Sequence, residues 1–234
     1  MISVIIPFLN EEAQLENTIA SLKPYFNQIE IIAVDGASQD SSRLILEQYP
    51  NIKIIGSPKG RAVQMNAGAK IAQGDILLFL HADTVLGEGW YKALESVDKC
   101  FLAGAFSFET DITNPFMFFI KVMVNLRSKF MMHIPYGDQA IWVRRDTFNQ
   151  VNGYKELVIM EEVDLLDRLK AFTKIKILDI PAYTSIRRWQ NEGHLRVTIK
   201  NLTALILYRF KVNPEKIRRI YNSKNYPWSK SFKF

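Results

Sequence analysis

Five large hydrophobes in a row, Ile76-Leu77-Leu78-Phe79-Leu80, follow Asp75 and stop abruptly at His81-Ala82-Asp83. A run apolar on both of its alternating faces fits a strand covered on both sides, as in the middle of a parallel sheet. A carboxylate where such a strand gives out stands at the sheet's carboxyl edge, where open α/β sheets form their ligand crevices. Asp83 is therefore the first candidate site residue. The plainer alternative is a strand-end aspartate that caps a loop.

The stretch before this run supplies its neighbours. Ser3–Ile6 reads as a strand closed by Pro7, and Asn10 as the cap of a helix with Glu11 and Glu12 in its first turn and Leu15, Ile19 and Leu22 as its core stripe. Glu30–Val34 is a second strand ending in Asp35-Gly36, followed by a helix from about Ser41 to Tyr49. Ile52–Ile55 is a third, and a helix rich in small residues from about Arg61 to Ala72 leads into the central run. The rhythm βαβαβαβ predicts a doubly wound, mostly parallel half-sheet. It places the polar groups at Asn10-Glu11, Asp35 and Asp83 along one rim.

Beyond Asp83 the alternation weakens. Gly104–Phe108 and Ala140–Arg144 read as strands, and Tyr136-Gly137-Asp138-Gln139 as a loop. Met160–Asp164 opens a helix whose Leu165, Leu169 and Phe172 repeat at core spacing. Lys174–Asp179 and Tyr183–Arg187 are expected strands, and Leu195 to Phe210 an expected helix with Leu195, Ile199, Leu202 and Ile206 on its core face. From Asn213 the chain reads as a basic tail. No repeat or linker divides it.

A chain of 234 residues with 48% hydrophobic and 23% charged residues suits one soluble α/β domain. Cys100 is the only cysteine, which excludes an intramolecular disulfide framework and a thiolate metal cluster. With no charged region ahead of the first strand and no apolar span of about 20 residues, the expectation is a cytoplasmic protein. A net charge of +6 suits a polyanionic partner without choosing among a nucleotide diphosphate, an anionic membrane and nucleic acid. The basic residues do not interleave with aromatics as a stacking platform needs, so nucleic acid is not an expected partner.

The first strand is not followed by GxGxxG, and no GxxxxGK[ST], GxSxG or HExxH occurs. What remains is a set of carboxylates and basic groups along one rim. That suits a hard divalent cation, Mg²⁺ or Mn²⁺, holding a diphosphate.

Five segments carry a family resemblance: Val4-Ile-Ile-Pro-Phe-Leu-Asn-Glu11, Val34-Asp-Gly-Ala-Ser-Gln-Asp40, Gly60-Arg61 through Asn66, Leu80-His-Ala-Asp83 and Met160-Glu-Glu-Val-Asp-Leu165. In order and spacing they resemble the inverting family 2 glycosyltransferases, most nearly small stand-alone bacterial members that continue into Arg-Arg-Trp, as Arg187-Arg188-Trp189 does here. The resemblance implies a GT-A fold, a nucleotide-diphosphate sugar donor and a divalent metal. It implies one domain over 1–234: a nucleotide-binding half at 1–110, an acceptor and catalytic half at 111–190, and a C-terminal helix and basic tail at 191–234.

Carried onto this sequence, the resemblance places Pro7, Leu9 and Glu11 around the base and ribose, with Asp35 and Arg61 nearby. Asp83, the last position of the family's DxD, is the implied metal ligand, and Glu162 the implied catalytic base. Asp138, Gln139, Arg187, Arg188 and Trp189 are further donor-site candidates. For the arginine pair the expected role is phosphate clamping from a strand. The sequence departs from the family pattern at Gly36, where a second aspartate is usual, at His81, the first position of DxD, and at Glu162, where Asp is commoner. Plain alternatives stand beside these assignments: Glu161, Glu162 and Asp164 also suit a helix N-terminus, and Asp138 a turn.

The segment Phe116–Met132 is too apolar for an ordinary surface helix, with a thin polar stripe of Lys121, Asn125 and Lys129. It is either core or a surface for an acceptor or a membrane. The second reading implies a lipid-linked acceptor and a place at the inner face of the membrane. A nucleotide-sugar-binding protein without catalysis, and a sugar-nucleotide pyrophosphorylase, are the rival functions.

Overall fold

The computed structural model describes residues 1–110, 115–131, 135, 137–185 and 187–223. In chain order it comprises β1 (Ile2–Phe8), α1 (Leu15–Leu22), β2 (Ile29–Asp35), α2 (Ser42–Glu47), β3 (Ile52–Gly56), α3 (Arg61–Ile71), β4 (Ile76–Phe79), β5 (Thr84–Leu86), α4 (Trp90–Glu95) and β6 (Ala103–Thr110). There follow α5 (Pro115–Leu126), β7 (Ile141–Arg144), α6 (Arg145–Gln150), α7 (Glu161–Leu169), β8 (Ile175–Thr184), α8 (Arg187–Glu192), α9 (His194–Arg209) and α10 (Pro214–Asn222).

Eight strands form one sheet in the order β3-β2-β1-β4-β7-β6-β8-β5. The first four run parallel, with Ile5 opposite Ile32 on one side and Phe79 on the other. β7 is antiparallel to both β4 and β6, β8 returns parallel to β6, and β5 is antiparallel to β8. Every residue of β1 and β4 is buried. Two apolar layers explain this: one beneath α1 and α4 with Leu15, Ile19, Leu22 and Trp90, the other beneath α3 and α7 with Met65, Val163 and Leu166. The small residues of α3 let it lie close on the sheet. A Cβ on Gly68 would come 2.5 Å from the Ile5 side chain, so a larger residue would push the helix off.

Several expectations need correction. α1 starts at Leu15, not near Asn10. Asn10 takes a left-handed backbone, and its Oδ1 accepts from the Gln39 amide, while the Glu11 amide donates to Ser42. These cap-type residues tie two loops together instead of opening a helix. Phe172 lies beyond α7 and is exposed, and β8 is one strand where two were expected. Its register against β6 shifts between Phe106 and Ser107, so Pro181 is accommodated without ending the strand. Arg187 opens a helix and is not on a strand. The stretch from Asn213, expected to be a tail, forms α10. Asn213 caps it through Oδ1 to the Glu215 amide at 2.8 Å, and Pro214 takes the first position. The stripe Leu195, Leu202 and Ile206 on α9 faces outward, and the buried face carries Val197, Lys200, Ala204 and Leu205.

Candidate active site

The carboxyl ends of β1, β2 and β4 meet at one rim, as the alternation predicts. At β1 the chain leaves through Pro7, Phe8 and Leu9. Gln64 of α3 fixes this exit, because its side-chain amide donates to the carbonyls of both Phe8 and Val34 at 2.8 Å. At β4 the chain turns through His81 and Asp83, with the Thr84 amide donating to the His81 carbonyl. The Ala82 carbonyl accepts from Thr18 Oγ1 at 2.8 Å, and the Asp83 carbonyl accepts from the Ser185 amide. The position of Asp83 is therefore set by α1 and by the end of β8 together.

Two cavities open on this rim. The first, about 610 Å³, is lined by Pro7, Leu9, Glu11, Lys59 and Gln64 on the β1 and α3 side, with Arg218 of α10 among its walls. The second, about 250 Å³, is lined by Asp138, Glu162, Trp189, Asn201 and Tyr221 among others. Arg61, His81, Asp83 and Glu161 line both. Those four residues form the wall where the cavities meet.

That wall is strongly charged, with Glu161 buried and the Arg61 side chain about half exposed beside it. Glu161 and Glu162 are buried although they open α7. Met160 delivers them from a left-handed backbone, an uncommon conformation for a side chain of this kind. Glu161 accepts from Arg61 Nε at 2.6 Å, and Glu162 Oε1 lies 3.9 Å from the same nitrogen. Partial desolvation at the cavity wall opposes charge on Arg61, but Glu162 and Glu161 outweigh it and raise its already high pKa. His81 Nε2 lies 3.1 Å from Glu162 Oε1, a hydrogen bond in which the ring donates to the carboxylate. Burial pulls the His81 pKa down, and the Glu162 partnership more than restores it, leaving it raised. The Asp138 carboxyl is pushed up to about 6 by burial, with Arg127 and His81 opposing and Glu162 and Asp83 adding to the rise.

The remaining candidates divide between lining the site and supporting it. Asp35 stands beside Phe8 in the ladder but does not line either cavity, and its Oδ1 accepts from the Ser38 amide at 2.8 Å. Gln139 is buried with its amide committed to Ser128 and to the Phe106 carbonyl. Arg187 reaches Glu11 at 2.8 Å and ties α8 to the β1 exit. The side chain of Arg188 lies outside the described residues, as does Tyr136. Trp189 lines the second cavity. Sequence reasoning missed Lys59, Asn201, Arg218 and Tyr221. The last two sit on α10, whose Asn213-Pro214-Glu215 start is a legible cap signal.

A cation here would lean on Asp83. Among the described residues no group of three His, Cys, Asp or Glu is placed to hold a metal ion. Asp83 with the oxygens of a bound diphosphate is a donor set that suits a hard divalent ion, so the residues fit a metal brought in with its ligand.

Comparison with known proteins agrees with this architecture. The S. aureus TarS structure (residues 1–349, in complex with UDP) superposes over 100% of this chain and 75% of its own, at 18% identity and a TM-score of 0.64. The Pyrobaculum calidifontis mannosyltransferase PcManGT, in complex with GDP-Man and Mn²⁺, matches 94% of this chain and 67% of its own at 16% identity and a TM-score of 0.65. The curled, mostly parallel sheet is thus that of the GT-A glycosyltransferases.

Residues 3–99 match the model of glycosyl transferase family 2. The undecaprenyl-phosphate 4-deoxy-4-formamido-L-arabinose transferase of Proteus mirabilis is 37% identical over 93 residues, 35% of this chain and 28% of that one. AglE of Haloferax volcanii is 31% identical over 100 residues, 39% of this chain and 33% of that one. Over residues 3–99 the chain is thus similar to glycosyltransferase family 2. It spans a third or less of these curated relatives.

Proposed function

We propose that this chain transfers a sugar from a nucleoside-diphosphate sugar to an acceptor hydroxyl, with inversion at the anomeric carbon. The observation that carries the reading is the pair of cavities meeting at Arg61, His81, Asp83 and Glu161, with Glu162 on the second cavity alone. The first cavity suits the nucleotide, because its walls combine the β1 exit with the cations Lys59, Arg61 and Arg218. Solved GT-A structures with UDP-GlcNAc and with GDP-Man make uridine and guanosine the bases to test first. The second cavity is then the acceptor's.

In this arrangement Glu162 takes the proton of the acceptor hydroxyl as its oxygen bonds to the anomeric carbon. The bond from that carbon to the diphosphate oxygen breaks, and the diphosphate departs with the electron pair. His81 holds the accepting oxygen of Glu162 in place, and α7 fixes the residue from behind. Arg61 faces the leaving group with a charge that its carboxylate neighbours secure. A divalent ion held by Asp83 would supply further charge stabilisation there, and the Mn²⁺ present with relatives in PcManGT and in the Mycobacterium tuberculosis glucosyl-3-phosphoglycerate synthase supports including one. No covalent enzyme intermediate is needed.

Thermal unfolding with UDP- and GDP-sugars, with and without Mn²⁺ or Mg²⁺, tests the donor half of this proposal. A ligand at a hundredfold excess over its Kd stabilises by about 2.7 kcal/mol. A cation-dependent rise with one nucleotide series is expected, and it is expected to disappear in Asp83→Asn. No response to any nucleotide sugar would overturn the reading. Glu162→Gln is expected to keep the rise and lose turnover, whereas a protein that only binds nucleotide sugar shows no turnover to lose.

A further inference from the structure

Two helices of this molecule are amphipathic the wrong way round. On α9, Leu195, Ile199, Leu202 and Ile206 continue to Phe210 just past the helix end, in an arc of about 80° at 3.6 residues per turn. Leu202, Ile206 and Phe210 are 56%, 45% and 78% exposed. The opposite side keeps Lys200 buried, with its ammonium on Glu192 at 2.7 Å. On α5 the polar stripe turns inward: Asn125 pairs with both the amide and the carbonyl of Phe108, Ser128 just beyond it is buried on Gln139, and Lys121 binds Glu109. The face left outside carries Phe118, Phe119, Val122, Met123 and Leu126, each more than 40% exposed. The N-terminal ends of the two helices meet, with the Phe116 and His194 rings 5.7 Å apart.

Of the two readings of Phe116–Met132, core or a surface for an acceptor or membrane, the described residues of α5 favour the surface, with the polar stripe turned inward. The helix is seated by its polar groups and a few apolar ones, Met117 and Ile120, and gives most of its hydrophobic surface to the outside. Such a surface on a water-soluble body marks a contact with something apolar.

We propose that the outward faces of α9 and α5 dock this protein on an anionic lipid bilayer as a monotopic surface. Charge selects that partner. Residues 193–234 contain ten Lys and Arg and a single Glu, although the whole chain carries only +6, so residues 1–192 are net acidic. Lys211, Lys216 and Arg219 are exposed just beyond the apolar stripe. An apolar stripe with a basic border matches the acyl boundary and the anionic headgroups of one leaflet. A second copy related by a two-fold axis through the same stripe would face like charge with like. No helix among the described residues is long and apolar enough to cross a membrane, which fits a helix lying in the interface. Val197 and Asn201 of α9 also line the second cavity. Resting on the transferase reading, a docked α9 holds that cavity at the leaflet, where acceptor hydroxyls on lipid carriers are concentrated.

Sedimentation of the full chain with phosphatidylcholine vesicles, with and without phosphatidylglycerol, tests the docking without any turnover. Its failure therefore leaves the transferase proposal standing, and the converse holds. Binding is expected with the anionic vesicles only and should weaken as salt rises. The Leu202→Glu/Ile206→Glu protein and, separately, Phe210→Glu should each weaken it about tenfold or more. All three positions are exposed, so unfolding transitions matching the parent protein should confirm intact folding. No sedimentation with anionic vesicles, or sedimentation untouched by all of these substitutions, would overturn the proposal. So would a lipid-free dimer that the double substitution converts to monomer, since the stripe would then be occupied by a second copy.

Discussion

Helix α7 hides its carboxylates and helix α9 displays its leucines. In α7 the opening Glu161, Glu162 and Asp164 are all buried, beside Val163, Leu165, Leu166 and Leu169. In α9 a regular apolar stripe is turned to the outside while a lysine is taken in. Periodicity alone describes both helices correctly as amphipathic, but it does not say which face goes in. In α7 partners decide: Arg61, His81, Lys155 and Arg168 each meet a carboxylate of the first turn, so charge can be buried. In α9 the inward side is taken by Val197, Lys200, Ala204 and Leu205, with Lys200 paired to Glu192.

The contrast can be broken at four positions. Replacing the proposed base, Glu162→Gln, is expected to lower the rate of sugar transfer about 10²–10⁴-fold while the unfolding transition stays in place. A rate within twofold of the parent would remove Glu162 from the chemistry. Leu166→Ala, in the fully buried side of α7, should cost about 3 kcal/mol in denaturant unfolding, since it leaves a cavity that cannot relax completely.

Asp164→Asn should cost about 2 kcal/mol at neutral pH, because Lys155 and Arg168 lose their charged partner. Burial alone would raise the Asp164 pKa, but those two cations bring it below the ordinary aspartate value. A carboxyl with a depressed folded pKa stabilises above its unfolded pKa of about 3.9 and loses that contribution as pH falls through the folded value. The acid limb of a stability–pH curve should therefore flatten in the asparagine protein. The smallest effect belongs to Leu202→Ala on the exposed stripe, expected within about 0.5 kcal/mol of the parent. If it matched Leu166→Ala instead, the stripe would be core after all and the comparison would fail.

Much of the first half of the chain is legible from residues alone. Strands buried on both faces are unbroken apolar runs, so β1, β2 and β4 announce themselves, and in a parallel sheet their polar ends must share a rim. Pro7, Leu9, Glu11, Arg61 and Asp83 come to one cavity for that reason. The second half is harder because its determinants are tertiary. The stop between Asp179 and Tyr183 looks like a break, yet a register shift carries the strand through. Arg187 serves by meeting Glu11, 176 residues earlier in sequence, and nothing local to either residue signals the pair. α10, expected to be a tail, does carry a local signal in its Asn-Pro-Glu start, which the basic composition around it masks.

The amide of Gln64 has a further consequence. One side chain spans the two strand exits beneath the first cavity, and it rides on the same helix whose first residue is Arg61. The spread of that gap and the reach of the cation are thus mechanically geared. A change that tilts α3 by shifting its seat at Gly68 would move floor and guanidinium in one stroke, and no substitution there can retune either alone.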